Sequence, residues 1–350
     1  MNNFKDNYMR GINIGGWVSQ YRPGLKAGDS HFDTFATEKD IGQIASWGLD
    51  HVRLPVDYMI FESDDNPGAY DETGLSYIDN CLAWCKKYGL NLIIDLHHAP
   101  GFSFYALDTN SLFTDEKMQQ RMIDIWLNFT NRYINEGENL CFELMNELVE
   151  PDSSRWNLLA GRLVSEIRKI DKNRIILIGG NNYNAVSELK NIAIIEGDEN
   201  IVYNFHFYEP LLFTHQLASW TPVALDYGQK PLYPSVFPGI AEFIEKFPKY
   251  ANFKRFDNHY VDIEHMKSDL NPALEFMKNN PGKLLYCGEY GAVQGADLQS
   301  RINWHRDFNK LMDEYGIGRA VWSYKGMSFK FVENDGAVHN AELVDIIAGR

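Results

Sequence analysis

The feature that most constrains this chain is an alternation. Short apolar, β-branched runs recur from end to end, and longer stretches with helical periodicity separate most of them. The runs cover residues 11–15, 51–55, 90–96, 140–146, 174–179, 201–206, 284–289 and 318–323. Helical patterns cover 37–47, 75–88, 115–135, 153–171, 271–278, 298–315 and 341–347, with a poorly patterned stretch at 185–195. Strand followed by helix, repeated, builds a parallel sheet, because parallel neighbours need a crossover long enough to hold a helix. Eight such strands predict an α/β fold, a single catalytic (β/α)8 TIM barrel over residues 1–350, and its length of 350 residues lies within the range one barrel tolerates. Residues 211–270, rich in aromatics and proline, read as an inserted subdomain on the loop after the sixth strand that shapes a cleft.

Composition then narrows the partners. A formal net charge of −15 opposes nucleic acid and anionic membrane surfaces, and no uninterrupted apolar run approaches the roughly 18 residues of a membrane span. With 19 Tyr and 8 Trp, many in polar segments, the chain suits a wet, aromatic-lined cleft for a neutral substrate. Cys81, Cys85, Cys141 and Cys287 have the spacing of neither a zinc pair nor a disulfide framework and read as reduced thiols. The opening MNNFKDNYMR carries no apolar segment of the secretory type, which leaves the compartment open. The segment GINIGGW lacks the spacing of a dinucleotide fingerprint, so its glycines read as a tight turn at the barrel mouth. No cofactor is expected, and the chain is expected to act as a monomer.

In a barrel the chemistry sits where strands end. Those ends carry Arg53, His97, His98, Asn146, Glu147, His206, Tyr208, Glu289 and Trp322. Glu147 and Glu289, after strands four and seven, face one pore mouth from nearly opposite sides. Two carboxyl groups about 5–5.5 Å apart are what a retaining glycosidase needs, one to protonate the leaving oxygen and one to attack the anomeric carbon. Glu143, inside the apolar run CFELM, reads as a partner of Arg53 or another buried base. The histidines with nearby carboxylates leave open a metal-dependent barrel hydrolase, although no His-x-His pair ends the first strand and no metal site is expected. A non-catalytic sugar-binding protein is a further alternative, one that does not require both glutamates. Trp17, Trp220 and Tyr324 are either sugar platforms or packing residues, whereas Trp47, Trp84, Trp126 and Trp156 fall on helical patterns and read as core.

The segments HVRLP, IDLHHAPG, LMNELVEP, NFHFYEP, LYCGEYGA and VWSYK together resemble glycoside hydrolase family 5. HFDTF, EKDI, FESDDN, LSYID, CLAWCKKY and NNYN look like the clostridial endoglucanase C branch of that family. The resemblance implies Glu147 as acid/base and Glu289 as nucleophile, with Arg53 and Tyr208 holding Glu289 ionised. It also implies Asn146 on the sugar 2-hydroxyl, His97 and His206 orienting hydroxyls or carboxylates, and Trp322 as an apolar floor. The activity implied is that of an endo-β-1,4-glucanase, a cellulase acting on cellulose-type and mixed-linkage β-glucan. Endo-β-1,4-mannanase, dual glucanase/mannanase and xylanase activities stay open, because loops rather than catalytic residues select the backbone sugar.

Overall fold

The computed structural model describes residues 3–350. Eight parallel strands close into a barrel: β1 Arg10–Asn13, β2 His51–Asp57, β3 Asn91–His98, β4 Leu140–Glu143, β5 Ile175–Gly179, β6 Ile201–Phe207, β7 Leu284–Tyr290 and β8 Gly318–Val321. Closure comes from β8 on β1, with Arg10, Gly11 and Ile12 opposite Arg319, Ala320 and Val321. The largest departure from the expected strands is at β4, whose regular pairing stops at Glu143. Beyond it, Leu144 and Asn146 still donate backbone N–H groups to the carbonyls of Leu177 and Leu96, so the segment that carries Asn146 and Glu147 is anchored without being strand.

The helices between strands follow their apolar stripes and stop signals. Glu72–Tyr88 begins at Asp71, whose carboxylate accepts from the Thr73 N–H, and ends at left-handed Gly89. Glu116–Arg132 and Leu298–Tyr315 start on Asp115 and Asp297 in the same way. The weakly patterned stretch before β6 forms only a 3₁₀ segment, Val186–Asn191. Its two buried apolar residues, Val186 and Leu189, are spaced three apart, which suits a threefold turn better than an α-helix.

The barrel interior changes character along its axis. Toward the N-terminal ends of the strands it is apolar, formed by Ile93, Cys141, Leu177, Val202, Tyr286 and Ala320, and Phe4 and Tyr8 join the same cluster. The chain's entry segment passes so close that a Cβ on Gly318 would lie 2.0 Å from the Tyr8 carbonyl oxygen. Toward the C-terminal ends the interior is polar, with Asn13, Arg53, Asp95, Glu143, Asn204 and Glu289 all buried. Burying that many charges without pairing would cost more than the fold can supply, so the upper barrel is a network by necessity.

Between β6 and the helix Asn271–Asn279 that precedes β7 lie the helices Leu211–Thr214, Pro222–Tyr227, Ile240–Lys246 and Ile263–Asp269, a 3₁₀ segment Pro248–Phe256, and a short antiparallel ribbon pairing Ser235–Val236 with Tyr260–Val261. Phe237, Phe243 and Phe256 join this region to the main apolar core. All four cysteines are buried and free. Among the described residues no helix is long and apolar enough to cross a membrane.

Candidate active site

Arg53 is the hub of the barrel mouth. Its Nε and Nη2 donate to the two oxygens of Glu143, each at 2.7 Å, forming the bidentate pair that the apolar setting of Glu143 requires. Its Nη1 donates to Glu289 Oε1 at 2.8 Å and to Asn13 Oδ1 at 2.9 Å, while Nη2 also reaches Asn146 Oδ1 at 2.8 Å and lies 3.0 Å from Asp95 Oδ2. One guanidinium therefore faces three buried carboxyl groups, Asp95, Glu143 and Glu289. Asn204 supports the arrangement by donating to Glu143 Oε1 and accepting from the Gly288 N–H, both at 2.8 Å. Glycine is needed at 288, since a Cβ there would come within 2.8 Å of the Asn204 amide.

The second oxygen of Glu289 accepts from the Tyr208 hydroxyl at 2.8 Å. Across the mouth, Glu147 Oε1 lies 2.7 Å from His206 Nδ1, which in turn is 3.7 Å from Glu289 Oε2. Facing atoms of Glu147, His206 and Glu289 all lie within 4.8 Å of one another. Such a trio has ligand types for a metal, but the Arg53 guanidinium already rests against Glu289 and would repel a cation placed there. His97 Nδ1 pairs with Asp95 Oδ2 at 2.7 Å, and its ring stacks on Trp322 with 5.7 Å between centroids. The indole of Trp322 lies against Gly15, where a Cβ would come within 2.6 Å of it, and Gly16 follows with φ of +84°. Gly15 thus makes room for this ring and Gly16 turns the chain at the barrel mouth. His98 is set apart: it pairs with Asp57 at 2.6 Å and stacks on Phe104 at 4.6 Å, and none of these contacts reaches either glutamate.

Burial dominates the electrostatics. It pushes Glu147 up to about 8 despite 16% exposure of the side chain, with Arg53 opposing the rise. It pushes Glu289 up to about 7, against the lowering effects of Arg53 and the Tyr208 hydrogen bond. Arg53 and Tyr208 therefore act on Glu289 in the expected direction, but they do not bring it down to the ordinary carboxylate range. Both contact Glu289 and neither is hydrogen-bonded to Glu147, so they favour the ionised form of Glu289 over that of Glu147. Burial also lowers His206 to about 4, so the imidazole is neutral at neutral pH.

Asn13, Asp95 and Asn204 belong to this network and are absent from the strand-end reading. The signal is present as a period of two, since Asp95 and His97 on β3, and Asn204 and His206 on β6, share the inward face of strands whose other face is apolar. Trp17 and Tyr324 are packing residues. Trp17 is fully buried, stacked on Trp84 at 6.1 Å and donating to the Phe32 carbonyl, and the buried Tyr324 donates to Asp40 and Gln43. Trp220 is 52% exposed and lies 6.3 Å from His215. Trp47, Trp126 and Trp156 are buried, and Trp84 is partly buried beneath Trp17.

The family model of cellulases, glycosyl hydrolase family 5, matches residues 15–328. Endoglucanase C of Acetivibrio thermocellus is 52% identical over 344 residues, covering 98% of this chain and 99% of that protein. Cellodextrinase A of Ruminococcus flavefaciens is 36% identical, covering 89% of this chain and 84% of its own. Among solved structures, an endoglucanase of the hyperthermophile Thermotoga maritima superposes with a TM-score of 0.79 at 24% identity, covering 99% of this chain and 100% of that one.

Proposed function

The chain belongs to glycosyl hydrolase family 5, and from that premise we propose that it is an endo-β-1,4-glucanase that hydrolyses internal bonds of cellulose-type and mixed-linkage β-glucan with retention of configuration. One observation carries the mechanism: carboxyl oxygens of Glu147 and Glu289 within 4.8 Å of each other, with the more acidic group held by Arg53 and Tyr208. That separation suits a retaining pair, whereas inversion needs roughly 6.5–9.5 Å to admit a water. Glu289 attacks the anomeric carbon as Glu147 donates its proton to the leaving oxygen. Glu147, now ionised, takes a proton from the water that hydrolyses the glycosyl-enzyme.

The remaining groups serve that cycle. Asn146 has its carbonyl tied to Arg53, and its amide nitrogen, 3.5 Å from His97 Nε2, turns an N–H toward a sugar 2-hydroxyl. Trp322, braced by His97, forms the floor. Neutral His206 bonds to Glu147 without competing for its catalytic proton. His98 supports the wall of the cleft through Phe104. The segment 211–270 shapes the same cleft: the Thr214 hydroxyl donates to the Tyr208 carbonyl, and His215 packs edge-on against the Tyr208 ring at 5.0 Å. The names of the relatives favour glucan as the backbone.

Product analysis on defined oligosaccharides tests the whole reading. Internal β-1,4 glucosidic bonds are cut, the first product seen by NMR has the β configuration, and kcat/KM on cello-oligosaccharides exceeds that on manno- and xylo-oligosaccharides. An α product, or faster turnover of mannan fragments, overturns it.

The acid/base role predicts how substrate and pH interact. In Glu147→Gln, kcat/KM on unactivated cello-oligosaccharides falls by roughly 10²–10⁴-fold, while a dinitrophenyl cellobioside, whose leaving group departs unprotonated, still glycosylates the enzyme. In the parent enzyme kcat/KM falls below about pH 7, as Glu289 takes up its proton, and above about pH 8, as Glu147 loses its own. On unactivated cello-oligosaccharides the residual kcat/KM of the variant lacks the alkaline limb that the parent shows. Its persistence would move the acid role to another group.

A further inference from the structure

The segment between β6 and β7 carries a pair of histidines that the reaction does not use. His259 follows the 3₁₀ segment Pro248–Phe256, with its backbone N–H donating to the Phe256 carbonyl, and His265 lies in the helix Ile263–Asp269. The ribbon strand Tyr260–Val261 stands between them in the chain, and the fold brings their rings together. His259 Nε2 is 2.9 Å from His265 Nδ1, with 4.9 Å between ring centroids. His259 is exposed, whereas the His265 side chain is only 8% exposed and packs on Phe256 at 5.1 Å.

The far side of His265 fixes its proton. Its Nε2 lies 3.3 Å from Asp269 Oδ2, one helical turn on, and neither atom has another hydrogen-bond partner among the described residues. A carboxylate oxygen repels a bare nitrogen lone pair, so Nε2 carries the N–H and Nδ1 turns its lone pair toward His259. Asp269 is itself held in place. Its Oδ1 accepts from Arg255 Nη1 at 2.5 Å, and Arg255 Nη2 continues to Glu209 Oε2 at 3.4 Å. An imidazole whose one N–H faces a fixed carboxylate, while its other nitrogen offers a lone pair, is arranged as a metal ligand: the carboxylate sets the tautomer and raises the basicity of the ligating nitrogen. His259 needs only to carry its proton on Nδ1 for its Nε2 lone pair to meet the same point. As a hydrogen bond alone, at a wet surface, the pair contributes little to stability, because water competes for both groups.

The spacing is close to what an ion requires. Two nitrogens bound to a tetrahedral ion at about 2.0–2.1 Å stand about 3.3 Å apart, so the rings need to separate by a few tenths of an ångström. The exposed His259 has room for that movement. Arg255 lies beyond Asp269, on the other side of the His265 ring, and its charge is taken up by that carboxylate.

We infer that His259 and His265 form a site for a divalent transition-metal ion of the kind that prefers imidazole, Zn²⁺ or Cu²⁺, with Asp269 behind His265 and water in the remaining positions. The ion ties the turn before the ribbon to the helix Ile263–Asp269. It braces the insertion through contacts that reach neither Glu147 nor Glu289.

The test is calorimetric titration of the full chain with Zn²⁺. We expect one saturable ion whose affinity falls roughly tenfold or more in His259→Gln and in His265→Gln, and roughly tenfold in Asp269→Asn, which keeps the shape of the side chain without its charge. Without added metal, kcat/KM on cello-oligosaccharides stays within about twofold of the parent in His259→Gln, which reports an intact fold. Bound Cu²⁺ shows two imidazole nitrogens by electron paramagnetic resonance, which separates this site from the trio Glu147, His206 and Glu289, where one imidazole is present. No saturable binding below about 1 mM Zn²⁺, an affinity unchanged in His259→Gln, or a Cu²⁺ spectrum with a single imidazole overturns the inference.

Discussion

Replacing Glu289 with alanine lowers kcat/KM on an aryl β-cellobioside by roughly 10⁴-fold or more, and added azide restores turnover to give a glycosyl azide of α configuration. The size of the loss follows from what is removed. Without Glu289 no nucleophile faces the anomeric carbon, and the first displacement has no partner. A small anion that fills the space vacated by the side chain attacks from the same face, the aryl oxide departs, and a single inversion yields the α product. The stereochemistry also separates the two glutamates. In Glu147→Ala azide instead attacks the glycosyl-enzyme formed on Glu289, and two inversions yield the β azide. Chromatography and NMR of the two products check both assignments, and a β azide from Glu289→Ala would exchange the roles.

The position of Glu289 was legible because its strand is. Runs such as LLYCGEY and IVYNFHF are too short and too β-branched for helices, and the residues that end them have only the barrel mouth to face. Asn146 and Glu147 were legible from the end of an apolar run that outlasts the strand: regular pairing stops at Glu143, and backbone bonds from Leu144 and Asn146 carry the segment on to the mouth. The titration order was not legible. It arises from how deeply each carboxyl sits and how close Arg53 stands, and both depend on strands that are far apart in sequence. Trp17 illustrates the same limit. It follows two glycines at the barrel mouth and could face a sugar, but Phe32 and Trp84, from later elements, close over it. Asp95 lies two residues before His97 and three before His98, and only the alternation of β3 assigns it to the inward face with His97.

Arg53→Met is expected to be damaging in two separable ways, and pH distinguishes them. Arg53 is the one guanidinium that faces Asp95, Glu143 and Glu289, and all three carboxyls are already raised by burial. Deleting the cation leaves them uncompensated, a change that costs about 3–5 kcal/mol when one partner of a buried ion pair is lost. A carboxyl whose folded value is raised destabilises the fold at pH above its unfolded value near 4, and the penalty fades as pH falls toward that value. Chemical denaturation should therefore show the largest deficit against the parent enzyme near pH 8 and a smaller one near pH 5. The catalytic effect has a different origin. Glu289 at about 7 and Glu147 at about 8 differ by little, and Arg53 lowers both, though it touches only Glu289. Without that contact Glu289 rises past Glu147, the proton resides on the nucleophile, and the productive state becomes a minority at every pH. The expected result is a fall in kcat/KM of roughly 10³-fold that no choice of pH restores. Arg53→Lys keeps the charge but loses the fork that binds Glu143 with two parallel bonds, so it should recover much of the stability and less of the rate. If Arg53→Met kept its activity when assayed at higher pH, the order of titration would not be what Arg53 provides, and its role would reduce to holding the network together.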